Sequence, residues 1–475
     1  MKILLLSLPG LGENDGTLFP LGIGYLTASL KQHHDVKAYH YNSMSLAVRE
    51  VRQRLGEHKP HLVGLTCSTF NRAFVKTMIG VIKSFDRNIM LIVGGVHASF
   101  CYDQVLKQYG ADFVVIGEGE RTIVELCDAI EKNKPLNTVK GIAFKRNGDV
   151  SLNPPREIIF NLDDLPMPDY SYARPFIEQS GMGYVITSRG CPVRCTFCST
   201  SSFWGQKVRM SSVSRVVDEM EMLISQFKVK KIFFHDDCFN LGITRVKEIC
   251  AEIVNRGIKI EWGCSCRVTP VSEEMIATMV AAGCRHICWG IESGSEEMLK
   301  KINKKITLSQ IRNAYELSQK FSDVMSTGAF TMVGNPGETE DTIRDTVNFL
   351  NTIPITDIPS TAVLYILPGT LVYESLKRDG HIADADWCRY DTVPYYTIEN
   401  SYRKLTRWAE MVNGSVRRIS FDPKKHFWNA ILKTSDLNAV ATSNSIIVRT
   451  VKTLLKPQKV ISIMKRFLPA GRIRF

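Results

Sequence analysis

Three cysteines, Cys191, Cys195 and Cys198, share one short loop, Arg189-Gly190-Cys191-Pro192-Val193-Arg194-Cys195-Thr196-Phe197-Cys198. At this CxxxCxxC spacing each thiolate can hold one iron of a [4Fe-4S] cubane, which leaves the fourth iron without a protein ligand. A structural zinc site would want a fourth ligand, usually from a second, separated cysteine pair. Cys264 and Cys266 form a CxC pair, but they fall on an expected strand where alternate residues share a face, so core packing accounts for them. The open iron can chelate an amino group together with a carboxylate. Charged residues near the loop therefore become candidates for the other ends of such a ligand.

Those candidates sit where strands are expected to end. After a strand at Tyr184–Ser188, β-rich runs recur at Lys231–His235, Glu261–Ser265, His286–Gly290, Gly328–Val333 and Thr361–Ile366, with helical stretches between them. Six such units make a partial (β/α)6 barrel, and barrels place their chemistry at the carboxyl ends of the strands. There the sequence offers Asp236 and Asp237, Arg267, Glu292, and Gly334 at the start of Gly-Asn-Pro-Gly-Glu. A buried carboxylate wants a cationic partner, so Asp236 or Asp237 suits a ligand ammonium, Arg267 a carboxylate, and Glu292 an ammonium or a ribose hydroxyl. Helix caps or internal salt bridges explain each of them equally well.

The first 135 residues have a different βα rhythm, with strands expected at Lys2–Leu8, Val36–Tyr41, Leu62–Cys67, Met90–Val93 and Phe113–Ile116. Helical periodicity fills the intervals, as in Ala47–Leu55 and Arg72–Phe85. This suits a flavodoxin-like, doubly wound sheet whose ligand lies beyond the strand carboxyl ends. The loops there are rich in small residues, including Ser68, Gly94, Gly95, Gly117 and Gly119, which let backbone approach a bulky ligand. Tight strand-to-helix turns would use the same residues.

The ordered loops PLGIGYL, LTCST, GGVHAS and GEGE resemble the cobalamin-binding domain of one class of radical enzymes. The cysteine loop, HDDCF, GIESGSEEML and MVGNPGETEDT, in this order, resemble the radical S-adenosylmethionine superfamily, specifically its cobalamin-associated class, over residues 1 to about 370. The resemblance implies reductive cleavage of S-adenosylmethionine to a 5′-deoxyadenosyl radical, with Phe197 beside the adenine. Cobalamin-dependent methylation of an unactivated carbon is the principal expectation. Ring closure or rearrangement, a tRNA methylthiotransferase-like activity, and a non-enzymatic cofactor carrier are the alternatives. Cys67, Cys101 and Cys127 lack the cluster spacing that the tRNA enzymes need. The chain also lacks the Asp-x-His-x-x-Gly segment whose histidine ligates cobalt in methionine synthase, which implies a lower cobalt face without imidazole; His33, His34, His40 and His97 are among the local histidines.

Bulk properties agree with an enzyme of several domains. The 475 residues are 44% hydrophobic and 23% charged, which excludes a disordered chain, and 13 cysteines are too sparse for a disulfide scaffold. The expected division is a cobalamin-binding domain at 1–140, a linker at 141–176, the barrel at 177–370, and a substrate-capping extension with a basic tail at 371–475. The net charge of +12 is concentrated in that tail, where eight Lys and Arg follow Asp436 without an acidic residue. This distribution disfavours nucleic acid as partner; Ser443–Phe475 suits an anionic membrane, an acidic partner or substrate, or a plain solvated end, and membrane contact is the expectation carried forward. A small-molecule or lipid-like substrate, an electron donor such as flavodoxin or ferredoxin, and a cytoplasmic location, peripheral to a membrane through the tail, complete the expectations.

Overall fold

The computed structural model describes residues 1–417 apart from 11–18, 147, 358 and 390, so the membrane expectation for Ser443–Phe475 and the aromatic Tyr390 lie outside the described residues. Two sheets dominate. The first contains β1 (Lys2–Ser7), β2 (Asp35–His40), β3 (Leu62–Thr66), β4 (Met90–Gly94), β5 (Phe113–Val115), β6 (Ile142–Arg146) and β7 (Asp149–Leu152), in the order β2-β1-β3-β4-β5-β6-β7. The first five strands are parallel and reproduce the flavodoxin-like order. Alternation along β1 explains the double winding. Ile3 and Leu5 enter the core on one face, Leu4 and Leu6 the core on the other. Each such side chain contributes about 1.5–3 kcal/mol on leaving water.

The stretch expected as a linker behaves differently at its start. β6 and β7 form a hairpin that pairs antiparallel with β5 and extends the first sheet to Leu152. Ile142 and Phe144 bury against the same core as Phe113 and Val115, a tertiary contact that local patterning does not announce. The connection to the second sheet is therefore the shorter stretch after Leu152.

The second sheet holds β8 (Met182–Val185), β11 (Lys231–Phe234), β12 (Glu261–Arg267), β13 (Cys284–Glu292), β14 (Ser326–Val333) and β15 (Ser360–Val363), all parallel, in the order β15-β14-β13-β12-β11-β8. The edge strands β15 and β8 do not pair with each other, so the sheet is an open half-barrel. A two-stranded ribbon, β9 (Ser188–Arg189) and β10 (Arg209–Met210), brackets the cysteine loop. Register separates the two faces. Tyr184, Phe233, Gly263, His286 and Ser326 lie abreast on the lumen side, whereas Val185, Phe234, Cys264, Ile287 and Thr327 lie abreast on the helix side. Cys264 and Cys266 accordingly pack in the helix-side core, their sulfurs 3.6 Å apart.

Beyond 370 the chain does not stand apart as an extension. The helix Tyr402–Ser415 sends Leu405, Trp408 and Val412 into the half-barrel core. A further core of Leu364, Ile366, Tyr373, Trp387 and Tyr396 takes in Phe70 and Phe100 of the first sheet's loops and Phe197 of the cysteine loop. Tyr395 stacks between Tyr365 and Tyr402. Among the described residues no helix is long and apolar enough to cross a membrane.

Candidate active site

The cysteine loop is held from several sides. Gly190 sits at φ +98°, where a side chain would also press its Cβ to 2.6 Å from the Lys207 carbonyl. The Cys191 amide donates to the Gly205 carbonyl at 3.4 Å, the Thr196 amide to Ile302 at 3.1 Å, and Val372 to the Thr196 carbonyl at 3.1 Å. The Asn303 side chain donates to the Arg194 carbonyl at 2.8 Å. Cys195 is buried, and Cys191 and Cys198 are half-buried. Burial pushes the Cys195 thiol up to about 11, against the nearby Lys304 charge. Iron supplies the positive charge needed to keep such thiols as thiolates, so three cysteines on one short loop fit a cluster.

Polar groups gather beside this loop at the barrel's carboxyl end. Glu292 and Lys304 form a buried ion pair at 2.7 Å, and Arg267 donates to the Lys304 carbonyl at 3.0 Å. Burial works against the Lys304 charge, but Glu292 outweighs it and holds the ammonium above its usual value. Gly290 makes room for the pair, because a Cβ there would meet the Lys304 nitrogen at 3.1 Å. Glu292 adopts φ +69° where the β13–β14 register shifts, a left-handed conformation that costs a non-glycine residue about 1 kcal/mol. Such strain is characteristic of functional positions.

The paired aspartates separate. Asp236 accepts from the Thr187 amide and hydroxyl, both at 2.6 Å, and from the Ser188 hydroxyl at 2.7 Å. Three donors hold its oxygens in anchoring the strand that leads into the cysteine loop, so of the two aspartates offered for a ligand amine Asp237 is the freer. Asp237, on the opposite side of the extended backbone, is exposed and accepts from Thr200, two residues past Cys198, at 2.9 Å. Phe197 is half-buried between the barrel core and the capping core.

Two groups were missed in the sequence. Lys304 lies in an ordinary-looking lysine-rich turn, and only the fold carries it to Glu292. Asn335, beside Gly334, is 1% exposed, yet neither its amide nitrogen nor its oxygen has a hydrogen-bond partner among the described residues. A buried amide left unsatisfied costs about 1–3 kcal/mol, so an external ligand is the expected partner. Gly334 itself is at φ +90° against Leu405, and its amide and that of Asn335 donate to Glu338, whose carboxyl burial pushes up to about 7.

The first sheet presents a cavity of about 310 Å3 at its carboxyl end. Ser68, Gly94, Gly95, Gly117 and Gly119 all line it. Its floor includes Leu5 and Gly64; a Cβ on Gly64 would come within 2.6 Å of the Leu5 side chain. Gly117, at φ +72°, faces open space. No histidine is among the lining residues. His97 is instead wholly buried, with Nδ1 3.2 Å from the Thr69 hydroxyl and its ring edge-on to Trp387, and burial lowers it to about 3, a neutral imidazole.

A B12 binding domain model matches residues 10–127 and a Radical SAM superfamily model matches residues 185–350. The chain is 33% identical over 379 residues to an uncharacterized methyltransferase of Pyrococcus horikoshii, covering 79% of this chain and 82% of that protein. The chain belongs to the cobalamin-binding class of the radical SAM superfamily. An anaerobic magnesium-protoporphyrin IX monomethyl ester cyclase of Rubrivivax gelatinosus is 29% identical, over 71% of this chain and 62% of that one. In fold the chain is similar to the radical S-adenosylmethionine methyltransferase TsrM of Kitasatospora setae, solved with cobalamin and a [4Fe-4S] cluster (TM-score 0.68, 21% identity, 80% and 75% of the two chains).

This radical SAM enzyme thus uses a [4Fe-4S] cluster, S-adenosylmethionine and cobalamin. The glycine-lined cavity is of a size and position to take part of a cobalamin, and the three-cysteine loop with an adjoining set of unsatisfied and ionic groups fits a cluster that binds a zwitterionic ligand.

Proposed function

We propose that this enzyme transfers a methyl group to an unactivated carbon of a small molecule bound between its two cofactor sites. The observation that carries the reading is a cleft of about 270 Å3 walled by the carboxyl ends of both sheets, with Ser7, Thr66 and Ser68 on one side and Ile186 and His235 on the other. When bound, the cluster and S-adenosylmethionine supply one-electron reductive cleavage, and cobalamin supplies a methyl carrier. The protein's part is to bind, orient and exclude water.

In this reading Arg267 and Lys304 face the methionine carboxylate, Asp237 and Glu292 the ammonium, Phe197 the adenine, and Asn335 a polar edge of the nucleoside. Ser68, Gly94, Gly95, Gly117 and Gly119 admit the cobalamin. Glu292 and Lys304 neutralise each other until a zwitterion arrives, so neither buried charge stands alone. A single-electron donor such as a flavodoxin or ferredoxin would feed the cluster. Contact with an anionic membrane through Ser443–Phe475, and a lipid-like substrate reached there, belong to the same proposal.

Similarity to the Rubrivivax cyclase supports ring closure as a second reading. Product stoichiometry separates the two. Methylation consumes two molecules of S-adenosylmethionine, so S-adenosylhomocysteine and 5′-deoxyadenosine should form in equal amounts, with label from the [methyl-d3] cosubstrate in the product. 5′-Deoxyadenosine formed without S-adenosylhomocysteine would overturn methyl transfer in favour of cyclisation or rearrangement.

A further inference from the structure

The cobalamin cavity is not built by the first sheet alone. Phe203 and Trp204 line it too, and they follow the last cluster cysteine by only a few residues. Phe203 packs edge-on to Trp204 at 4.7 Å and to Phe100 at 6.4 Å, so the wall is an aromatic step fixed to the first sheet's own loop.

Behind this wall stands the start of the cysteine loop. The Arg189 guanidinium lies between Tyr25, 5.2 Å from its ring, and Trp204, 4.9 Å from its ring. It donates to Glu118 at 2.9 Å and Glu120 at 2.5 Å, both cavity-lining residues. Arg209, on the strand paired with Ser188–Arg189, donates to Glu118 at 2.7 Å and to the Trp204 carbonyl at 3.1 Å. The next residue, Gly205, accepts the Cys191 amide. One continuous set of contacts therefore joins cavity wall to cluster ligand.

We propose that Phe203 and Trp204 are cobalamin-binding residues contributed by the cluster-bearing half of the chain, and that they couple the two cofactor sites so that each, when filled, tightens the other. This rests on the reading that cobalamin occupies the glycine-lined cavity. With the cysteines anchored on iron, the segment from Cys198 to Gly205 is tied at both ends, and the aromatic wall is set before cobalamin arrives. Without the cluster the Cys198 end is not held by iron, and part of the binding energy of cobalamin goes into fixing it. Linkage makes the effect reciprocal. The segment of about residues 1–140 lacks this wall and should bind cobalamin weakly by itself.

The test is hydroxocobalamin binding to the full-length chain by anaerobic equilibrium dialysis, with and without cluster reconstitution. Wild type with its cluster should bind about tenfold tighter than without, within the range usual for coupled sites. Trp204→Ala should weaken binding and abolish the difference while iron and sulfide content stay at wild-type levels; Phe203→Ala reads the same wall should that variant fail to fold. Unchanged affinity in a folded, cluster-loaded Trp204→Ala or Phe203→Ala, or equal wild-type affinities with and without cluster, overturns the proposal. Gly94→Leu tests the underlying reading separately. A Cβ there makes ordinary contact with Val115, at 3.6 Å, and the rest of the side chain narrows the cavity. If Gly94→Leu binds hydroxocobalamin like wild type, cobalamin lies elsewhere and the cavity assignment fails; if it weakens binding while the wall variants do not, the proposal for Phe203 and Trp204 fails and the cavity assignment stands.

Discussion

Arg189 and Glu118 form a buried ion pair at 2.9 Å across 71 residues of sequence, tying the residue before Gly190-Cys191 to the Gly117–Gly119 loop of the glycine-lined cavity. Glu120 and Arg209 complete a four-residue network with both carboxylates and both guanidiniums out of water.

Removing one member should be costly. Arg189→Met leaves the Glu120 carboxylate without its cation and Glu118 with only Arg209, a loss of about 3–5 kcal/mol for a broken buried pair. The expected outcome is a lower thermal midpoint and reduced iron occupancy, read by differential scanning fluorimetry and iron assay. A midpoint equal to wild type would show that the network is dispensable.

The same network sets an acid limit. Burial pushes the Glu118 carboxyl up, but hydrogen bonds from Arg189, the Ile159 amide and Arg209 outweigh it and hold it below its usual value. A depressed carboxylate contributes stability that is present above its unfolded value, about 4.3, and is lost as pH falls through the lower folded value. Stability should therefore fall off below about pH 4.3, and Arg189→Met should flatten that fall. Parallel midpoint-against-pH curves for the two proteins would contradict this.

Cys191→Ala, Cys195→Ala and Cys198→Ala should each abolish the [4Fe-4S] cluster, because every thiolate anchors a different iron. Cys264→Ala and Cys266→Ala, which shorten buried side chains on the helix side, should keep the iron at some cost in stability. Full iron and sulfide in the triple-alanine protein would defeat the assignment.

The two adjacent aspartates should behave differently. Asp236→Asn puts an amide where three donors converge and should cost iron content, since the strand into the cysteine loop loses its anchor. Asp237→Asn should leave the cluster intact and weaken S-adenosylmethionine binding by about 1–3 kcal/mol, the loss of a hydrogen bond to a charged group. Calorimetric titration of reconstituted protein distinguishes them, and an Asp236→Asn protein with full iron but weakened binding would reverse the roles.

Cob(II)alamin bound to the enzyme should show no nitrogen splitting from a histidine in its paramagnetic resonance spectrum, and His97→Ala should leave the spectrum unchanged. His97 is turned into the contact with Thr69 and Trp387 rather than into the cavity. Histidine superhyperfine lines lost on His97 substitution would contradict that placement.

Local chemistry made much of this legible in the sequence. The CxxxCxxC loop needs no tertiary information, because its ligands lie within eight residues, and the five strands of the first sheet announce themselves by apolar alternation between helical stretches. The small residues Ser68, Gly94, Gly95, Gly117 and Gly119 were readable as a set because all occupy strand ends, and the fold brings them to one cavity. What the sequence could not decide is which of two like groups turns inward. Asp236 and Asp237 differ by one step of extended backbone, and that step sends one to Thr187 and Ser188 and the other to the barrel mouth. Nor could it pair Lys304 with Glu292, extend the first sheet through β6 and β7, or set Trp204 against the glycine-lined cavity. Those contacts depend on how separate elements pack in space. Composition and periodicity determine which face of an element is buried; only the folded chain decides what that face meets.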